Sequence, residues 1–449
     1  MTPGARLQAA IELLTAIHEG SSPADRAAAA YFRGRRYIGG QDRRDVIDRV
    51  YAVLRHRARL EWWLTRVVGA GAVNDRWRMI AALALLDGWH ADRIAGAFDG
   101  GQYRPQPLDR RESEAAHKLA GKSIDHPDQP NWVRREYPQW LDHQLRNLLG
   151  PRFDTEMAAL GVEAPLDLRV NTLKATREQA IAALAESDIS ATPTPLSPLG
   201  LRVRGRPPLA ALPCFRDGLV EVQDEGSQLA ALLVDARPGM RVVDFCAGAG
   251  GKTLAMAAAM RNKGHIVACD VLQGRVDRAG TRLNRAGVHN VERRGLATER
   301  DPWVKRHARS FDRVLVDAPC SGVGTWRRNP DAKWRFTTDD LTAVIELQRR
   351  ILDSAARLVK PGGRLIYATC SLLPSENAAQ VTSFTKDHPE FTLLPVADVW
   401  ADTIGHMPEG TASPTADRLL QLTPAAHETD GFFVAVLERT AAVVKDEAA

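Results

Sequence analysis

The second half of this chain predicts an α/β fold around a mostly parallel sheet. Three observations carry that expectation. From about residue 236 onward, short apolar runs alternate with helix-compatible runs, the pattern of strands joined by crossover helices. The first such pair is joined by a glycine turn within Val242 to Thr253, VVDFCAGAGGKT. Thiols and carboxylates follow directly on the apolar runs, and open α/β sheets gather ligands at strand carboxyl ends. Strands are expected at Arg241–Phe245, His265–Cys269, Phe311–Val316 and Arg364–Ala368. Helices are expected through Leu254–Met260, Gln273–Arg285 and Thr338–Leu358, with a late strand at Gly431–Leu437.

The chain ahead of this region divides in two. Residues 1–150 read as helical: Leu7, Ala10, Ile11 and Leu14 keep a helical spacing that Gly20 stops. Ile47, Val50, Tyr51, Leu54 and Ala58 mark a longer helix, and Trp132 to Leu148 closes the region. Arginines from Arg33 to Arg66 outnumber Asp42, Asp45, Asp48 and Glu61. Arg35 and Arg36, interleaved with Tyr31, Phe32 and Tyr37, suit RNA phosphate, against the plainer reading of a solvated helix face. Residues 155–235 change texture. Leu166, Leu168 and Val170 alternate with polar residues, as in a half-buried strand. Thr176 followed by Gln179 is a capping-box signature, and Pro193, Pro195 and Pro198 mark turns, so a small α/β domain is expected.

Composition sets bounds. The 449 residues suffice for two or three domains. A formal charge of +5 tolerates a nucleic-acid partner without requiring one. Cys214, Cys246, Cys269, Cys320 and Cys370 are far apart and lack a C-x-x-C pair, so neither a disulfide scaffold nor a metal site is expected. Met1-Thr2-Pro3-Gly4 opens without a leader's apolar core, and no apolar run is long enough to span a bilayer. A cytoplasmic, soluble monomer without a membrane partner is the expectation.

The candidate site collects at four strand ends. Cys246, Ala247, Gly248, Ala249, Gly250, Gly251 and Lys252 form a strand-to-helix turn that presents amide N–H groups to a ligand. Its glycine spacing is not G-x-G-x-x-G, and Cys246 stands where a Walker A loop needs glycine. Asp270 ends the second strand, where an acid suits paired ribose hydroxyls. Asp317 and Cys320 follow the third, and Cys370 follows Thr369 at the fourth. Two thiols beside a carboxylate and a nucleoside loop suit methylation of cytosine at C5. A thiolate adding to C6 makes C5 enamine-like, C5 attacks an electrophilic methyl group, and a base then removes the C5 proton. Asp317 is also a candidate to contact the methyl donor. Between these thiols, TWRRNPDAKWRF places Arg327, Arg328 and Lys333 among Trp326, Trp334 and Phe336, a composition suited to stacking on single-stranded RNA. The bland alternative is a loop anchored by its tryptophans.

These residues also carry a resemblance. CAGAGGKT, DAPCSGVG with NPDAKW, and YATCSLLPSEN resemble motifs of the NOL/NOP/Sun family of S-adenosylmethionine-dependent RNA cytosine-C5 methyltransferases. RVNTLK, QDEGSQL and the terminal DGFFVAVL are also similar, so the likeness covers about residues 165–438. YFRGRRYIGGQDRRDVIDRVYAVLRH is similar to the NusB-like domain of the bacterial 16S ribosomal RNA cytosine-C5 methyltransferase B branch. The resemblance implies a NusB-like RNA-binding domain at 1–150, a small RRM-like α/β domain at 155–235, and a Rossmann-like class I methyltransferase domain at 236–440. It implies S-adenosyl-L-methionine as cofactor and RNA, 16S ribosomal RNA above tRNA, as substrate. It assigns the nucleophile to Cys370, proton removal and product release to Cys320, the substrate-side carboxylate to Asp317, the donor loop to Cys246–Lys252, the ribose acid to Asp270 and an RNA-facing arginine to Arg169. Two departures stand out: Ala249 replaces the family's usual proline, and no acid follows Gly295, so that either Glu299 substitutes from a shifted loop or the adenine end is held otherwise.

Other classes fit less well. A dehydrogenase has no use for two strand-end thiols. A DNA cytosine-C5 methyltransferase attacks from a Pro-Cys motif, whereas this chain adds a Thr-Cys motif and a small front domain. A non-catalytic RNA-binding assembly factor would not need Cys370 and Asp317.

Overall fold

A computed structural model describes residues 1–69, 71, 73–408, 411 and 418–441. The chain forms two compact units. One is Met1–Gly161 with Trp326–Phe336; the other is Val162–Thr325 with Thr337–Ala449.

The first unit is helical. Its principal helices are Pro3–Glu19, Ala24–Arg33, Gly40–Arg55, Arg57–Val68, Asp75–Leu85 and Arg110–Leu119. Thr2 caps the first by accepting from Ala5 N at 3.2 Å. Asp75–Leu85 is buried along nearly its whole length, the mark of a central helix with apolar contacts all round. Leu13, Leu14, Val50, Leu60, Met79 and Leu83 belong to the core around it. Helices continue to Phe153–Gly161, so this unit runs past the expected limit at residue 150.

Trp326–Phe336 corrects an expectation. Its composition suits RNA contact, yet Lys333 is 2% exposed and Arg327 4% exposed. Lys333 Nζ donates to the Glu136 carbonyl at 2.9 Å, and Trp334 Nε1 donates to Leu54 O at 3.2 Å. Asp331 accepts from Ala24 N at 3.1 Å, and Arg55 donates to Arg327 O at 3.2 Å. The Glu136 carboxylate accepts from Ala58 N and Arg59 N. Burial pushes the Lys333 ammonium down to about 8, with Glu136 opposing. Tryptophan interleaved with cations serves a stacking surface or an anchor equally well; here its partners are helices of its own unit.

The second unit contains two sheets. The smaller is antiparallel in the order β2-β3-β1-β4, built from β1 (Leu166–Val170), β2 (Ala191–Pro193), β3 (Gly200–Val203) and β4 (Val220–Val222). Its helix Arg177–Ala185 opens on the expected capping box of Thr176 and Gln179.

The larger sheet comprises β5 (Arg241–Asp244), β6 (His265–Asp270), β7 (Val291–Gly295), β8 (Phe311–Asp317), β9 (Val359–Thr369), β10 (Phe391–Leu393), β11 (Leu420–Leu422) and β12 (Phe432–Arg439). Its order is β10-β12-β9-β8-β5-β6-β7, with β11 paired to β12. The strands from β7 to β9 run parallel, and β12 is antiparallel to β9. After β5 the chain builds outward to β6 and β7, then returns to place β8 on the other side of β5. That reversal opens a crevice at the carboxyl ends of β5 and β8, where ligands of doubly wound sheets sit. Among the residues read as a strand only here is β7, VERRG. It is an edge strand without a buried residue, so no apolar run announces it.

Candidate active site

The loop after β5 is held from its neighbour strand. Ala247 N donates to Cys269 O at 2.8 Å, and Gly248 N donates to Asp270 Oδ2 at 2.9 Å. The other oxygen of Asp270 accepts from Leu272 N at 2.8 Å. Gly250 has φ 80° at the start of the helix Gly251–Ala259, a conformation glycine adopts without strain. At the end of β5, Asp244 Oδ2 accepts from Thr253 Oγ1 at 2.6 Å, while Oδ1 is buried without a partner. Burial pushes this carboxyl up to about 7. Burial also pushes the Cys246 thiol up, aided by the charges of Asp317, Asp244 and Asp270. Three carboxylates therefore converge on the loop.

Lys252 reaches from the loop to the end of β8. Its Nζ donates to Asp317 Oδ2 at 2.7 Å. Burial opposes the ammonium, but Asp317 outweighs it and holds Lys252 above the usual amine range, with Cys370 contributing. Beyond Asp317, Cys320 Sγ lies 3.4 Å from Cys370 Sγ. The hydrogen bond to Cys370, followed by burial, raises the Cys320 thiol well above its ordinary value. The structure thus brings together Asp317, Cys320, Cys370 and the 246–252 loop, as their strand-end positions implied.

The two cysteine loops are tied together behind the thiols. Gly324 N donates to Cys370 O at 3.0 Å, and Gly431 N donates to Gly324 O at 2.8 Å. A Cβ on Gly324 would overlap the Gly431 backbone, so this three-loop junction requires glycine. Glu376, fully buried, accepts from both Ser321 and Ser371. Neither Glu376 nor Gln348, which donates to Pro319 O at 2.9 Å, was singled out by chemistry in the sequence. The only signal was the place of Glu376 inside YATCSLLPSEN.

Arg169 is a second correction. Expected to face RNA, it is 2% exposed, donates to Gly251 O at 2.8 Å and to Gln223 Oε1, and braces the 246–252 loop from β1. Burial pushes its guanidinium down to about 10. Glu299 accepts from Arg350 at 2.8 Å, which ties it to the helix Thr338–Ala356. In the first unit Arg36 is exposed, and Arg35 stacks 3.8 Å from the Tyr31 ring and pairs with Glu12. Arg328 is half-buried. Among the described residues no cluster suited to a metal ion occurs, and no helix is long and apolar enough to cross a membrane.

Residues 231–438 match the family described as 16S rRNA methyltransferase RsmB/F, and residues 137–210 match a ferredoxin-like domain of RsmF/B-like methyltransferases. A Synechocystis sp. protein named "Probable ribosomal RNA small subunit methyltransferase B" is 35% identical over 306 residues, 68% of this chain and 67% of that protein. The ribosomal RNA small subunit methyltransferase B of Photorhabdus laumondii is 32% identical over 312 residues, 69% of this chain and 68% of its own length. The crystal structure of PH0851 superimposes with a TM-score of 0.78 at 27% identity, covering 98% of this chain and 99% of that one.

Proposed function

The chain belongs to the 16S rRNA methyltransferase RsmB/F family, and from that premise we propose that it transfers a methyl group from S-adenosyl-L-methionine to C5 of a cytosine in small-subunit ribosomal RNA. Its larger sheet has the class I Rossmann-like methyltransferase fold, preceded by a ferredoxin-like sheet and a helical region. The observation that carries the reading is the pair of thiols 3.4 Å apart, with the Lys252–Asp317 ion pair on the neighbouring strand end.

The residues present fit a cationic nucleoside donor. Asp244, Asp270 and Asp317 converge on the loop, and Asp244 keeps a buried oxygen without a partner. When bound, the donor supplies an electrophilic methyl group. Asp270, beside the Gly248 amide, suits the ribose hydroxyls.

Cys370 is the nucleophile. Its thiolate bonds to C6, and the C5–C6 electron pair moves to C5. The Cys320 thiol, which holds its proton through the hydrogen bond to Cys370, supports that thiolate by donating to it. Asp317 and Lys252 stabilise charge on the pyrimidine ring as C5 becomes nucleophilic. With the Cys370 sulfur bonded to C6, Cys320 gives up its own proton to solvent and takes the proton from methylated C5. The C5–C6 double bond reforms, the S–C6 bond breaks, and Cys370 leaves as a thiolate.

The helical unit is read as RNA-binding on the support of its exposed Arg36, and as NusB-like on the likeness of YFRGRRYIGGQDRRDVIDRVYAVLRH alone. Five free cysteines, two of them required as thiols, support a reducing, cytoplasmic location. Transfer of a tritiated methyl group tests the whole reading: label should enter cytosine of small-subunit ribosomal RNA. Equal labelling of a matched DNA strand would overturn the choice of RNA.

A further inference from the structure

Glu376 takes part in no step above, yet its side chain is the most heavily bonded group behind the two thiols. Oε1 accepts from Ser321 N at 2.8 Å and from Gln348 Nε2 at 3.1 Å. Oε2 accepts from Ser321 Oγ at 2.5 Å and from Ser371 Oγ. Its backbone carbonyl accepts from Tyr367 OH at 2.6 Å. Ser321 follows Cys320, and Ser371 follows Cys370. Gln348 also holds Pro319 O, on the other side of Cys320. One carboxylate, 0% exposed, therefore spans both cysteine loops, one strand end from each side.

Burying a carboxylate is unfavourable unless hydrogen-bond donors replace its water. Here the donors are the residues adjoining the catalytic thiols. Two apolar contacts would pack these loops with less desolvation, but they would not set a distance. Charge-assisted hydrogen bonds are short and directional, so they fix where each loop stands relative to the other.

We propose that Glu376 is a positioning residue that sets the separation of Cys320 from Cys370. The proposal rests on the cysteine roles derived above. Attack on C6 and methyl transfer need Cys370, Asp317 and the donor. Removal of the C5 proton and release need Cys320 in register with a pyrimidine already bonded to Cys370. Loosening the tie between the loops therefore impairs release more than attack. The charge of Glu376 also helps to raise the Cys320 thiol, which keeps Cys320 protonated while Cys370 attacks.

The experiment follows methyl transfer from labelled donor to transcribed small-subunit ribosomal RNA with the full-length Glu376→Gln and Ser371→Ala variants. Covalent enzyme–RNA complex is read on denaturing gels beside released methylated RNA. Glutamine keeps the shape but weakens the bonds to both serines. The ratio of covalent complex to released product should rise roughly tenfold in Glu376→Gln, the effect expected for losing one charge-assisted bond in a single step. Ser371→Ala should move the ratio in the same direction by less. Donor affinity by calorimetry should stay at the wild-type value in both. A merely structural role would lower complex and product together and leave the ratio unchanged; that result in either folded variant overturns the proposal. If Glu376→Gln fails to fold, Ser371→Ala decides alone. Cys320→Ala run alongside separates the two levels of inference. If Cys320→Ala accumulates complex and the other variants do not, Glu376 is not a positioning residue. If Cys320→Ala itself accumulates none, the cysteine assignment fails first.

Discussion

Lys252 Nζ stands 2.7 Å from Asp317 Oδ2, so the loop after β5 and the end of β8 share one ion pair. Lys252 is buried and Asp317 half-buried, which leaves one face of the carboxylate for the pyrimidine. Removing Asp317 strands a buried ammonium and takes away the group nearest the charge that develops on the ring. Asp317→Ala should lower kcat by about 10²- to 10³-fold, the range for losing one preorganised electrostatic partner. It should do so without accumulating covalent complex. Single-turnover methyl transfer with denaturing gels checks both parts, and a variant that traps RNA would remove Asp317 from the attack step.

Asp270 has two duties in one side chain. It braces Gly248 through Oδ2 and the start of the next helix through Leu272 N. Asp270→Ala should therefore weaken donor binding by about 1.5–3 kcal/mol, the usual loss for a hydrogen bond to a charged group. Calorimetry with S-adenosyl-L-methionine reads this directly. Unchanged affinity would show that the loop keeps its shape unaided and that the ribose lies elsewhere.

Asp244 makes stability depend on pH. Burial raises its carboxyl from 3.8 to about 7 in the folded chain. The folded state thus binds the proton more tightly than the unfolded state. The associated stability is complete below about pH 4 and is lost as pH rises through about 7. Asp244→Asn, which mimics the protonated form, should flatten the dependence of Tm on pH across that window. Thermal unfolding of both proteins from pH 4 to 8 measures it, and parallel curves would show that Asp244 ionises normally.

The helical unit separates burial from RNA contact. Lys333 is buried and donates to Glu136 O, so Lys333→Ala should destabilise the unit by about 1.5–3 kcal/mol, the usual loss for a hydrogen bond made by a charged group. It should leave the salt dependence of RNA affinity unchanged. Arg36 is exposed, so Arg36→Ala should reduce the slope of log affinity against log salt by about one and leave Tm alone. Fluorescence anisotropy at several salt concentrations, with thermal unfolding, distinguishes the two. Reversed outcomes would restore Lys333 to the RNA surface.

How far the sequence was legible depended on whether a residue's role is local. The 246–252 turn, Asp270, Asp317 and both thiols follow strand ends that hydrophobic runs mark, so their meeting could be read in advance. The burial of Arg169, Arg327 and Lys333 could not. A guanidinium or ammonium reads as a surface group until its partner is known, and the partners here are remote: Gly251 O for Arg169 and Glu136 O for Lys333. Glu376 was hidden for the same reason, since its donors Ser321 and Gln348 come from other segments. The edge strand β7 was hidden because one half-exposed strand needs no apolar run.

The two thiols, 3.4 Å apart, pose the sharpest test, because either sulfur is near enough to the other to exchange roles. The asymmetry between them is positional: Cys370 directly follows β9 within reach of the Lys252 charge, and Cys320 follows β8. Lys252 feels the charge of Cys370, which suits an attacking thiolate beside a cation. Cys370→Ala should therefore abolish both covalent complex and turnover. With Cys320→Ala, Cys370 can still bond to C6 and C5 can still accept the methyl group. The C5 proton then has no acceptor, the S–C6 bond cannot break, and methylated RNA should remain attached to the enzyme through denaturing electrophoresis. Treating the trapped complex with nuclease and measuring its mass should show a methylated pyrimidine on Cys370. Complex formed by Cys370→Ala and absent from Cys320→Ala would reverse the roles: Cys320 would be the nucleophile, and the hydrogen bond between the sulfurs would run the other way during attack.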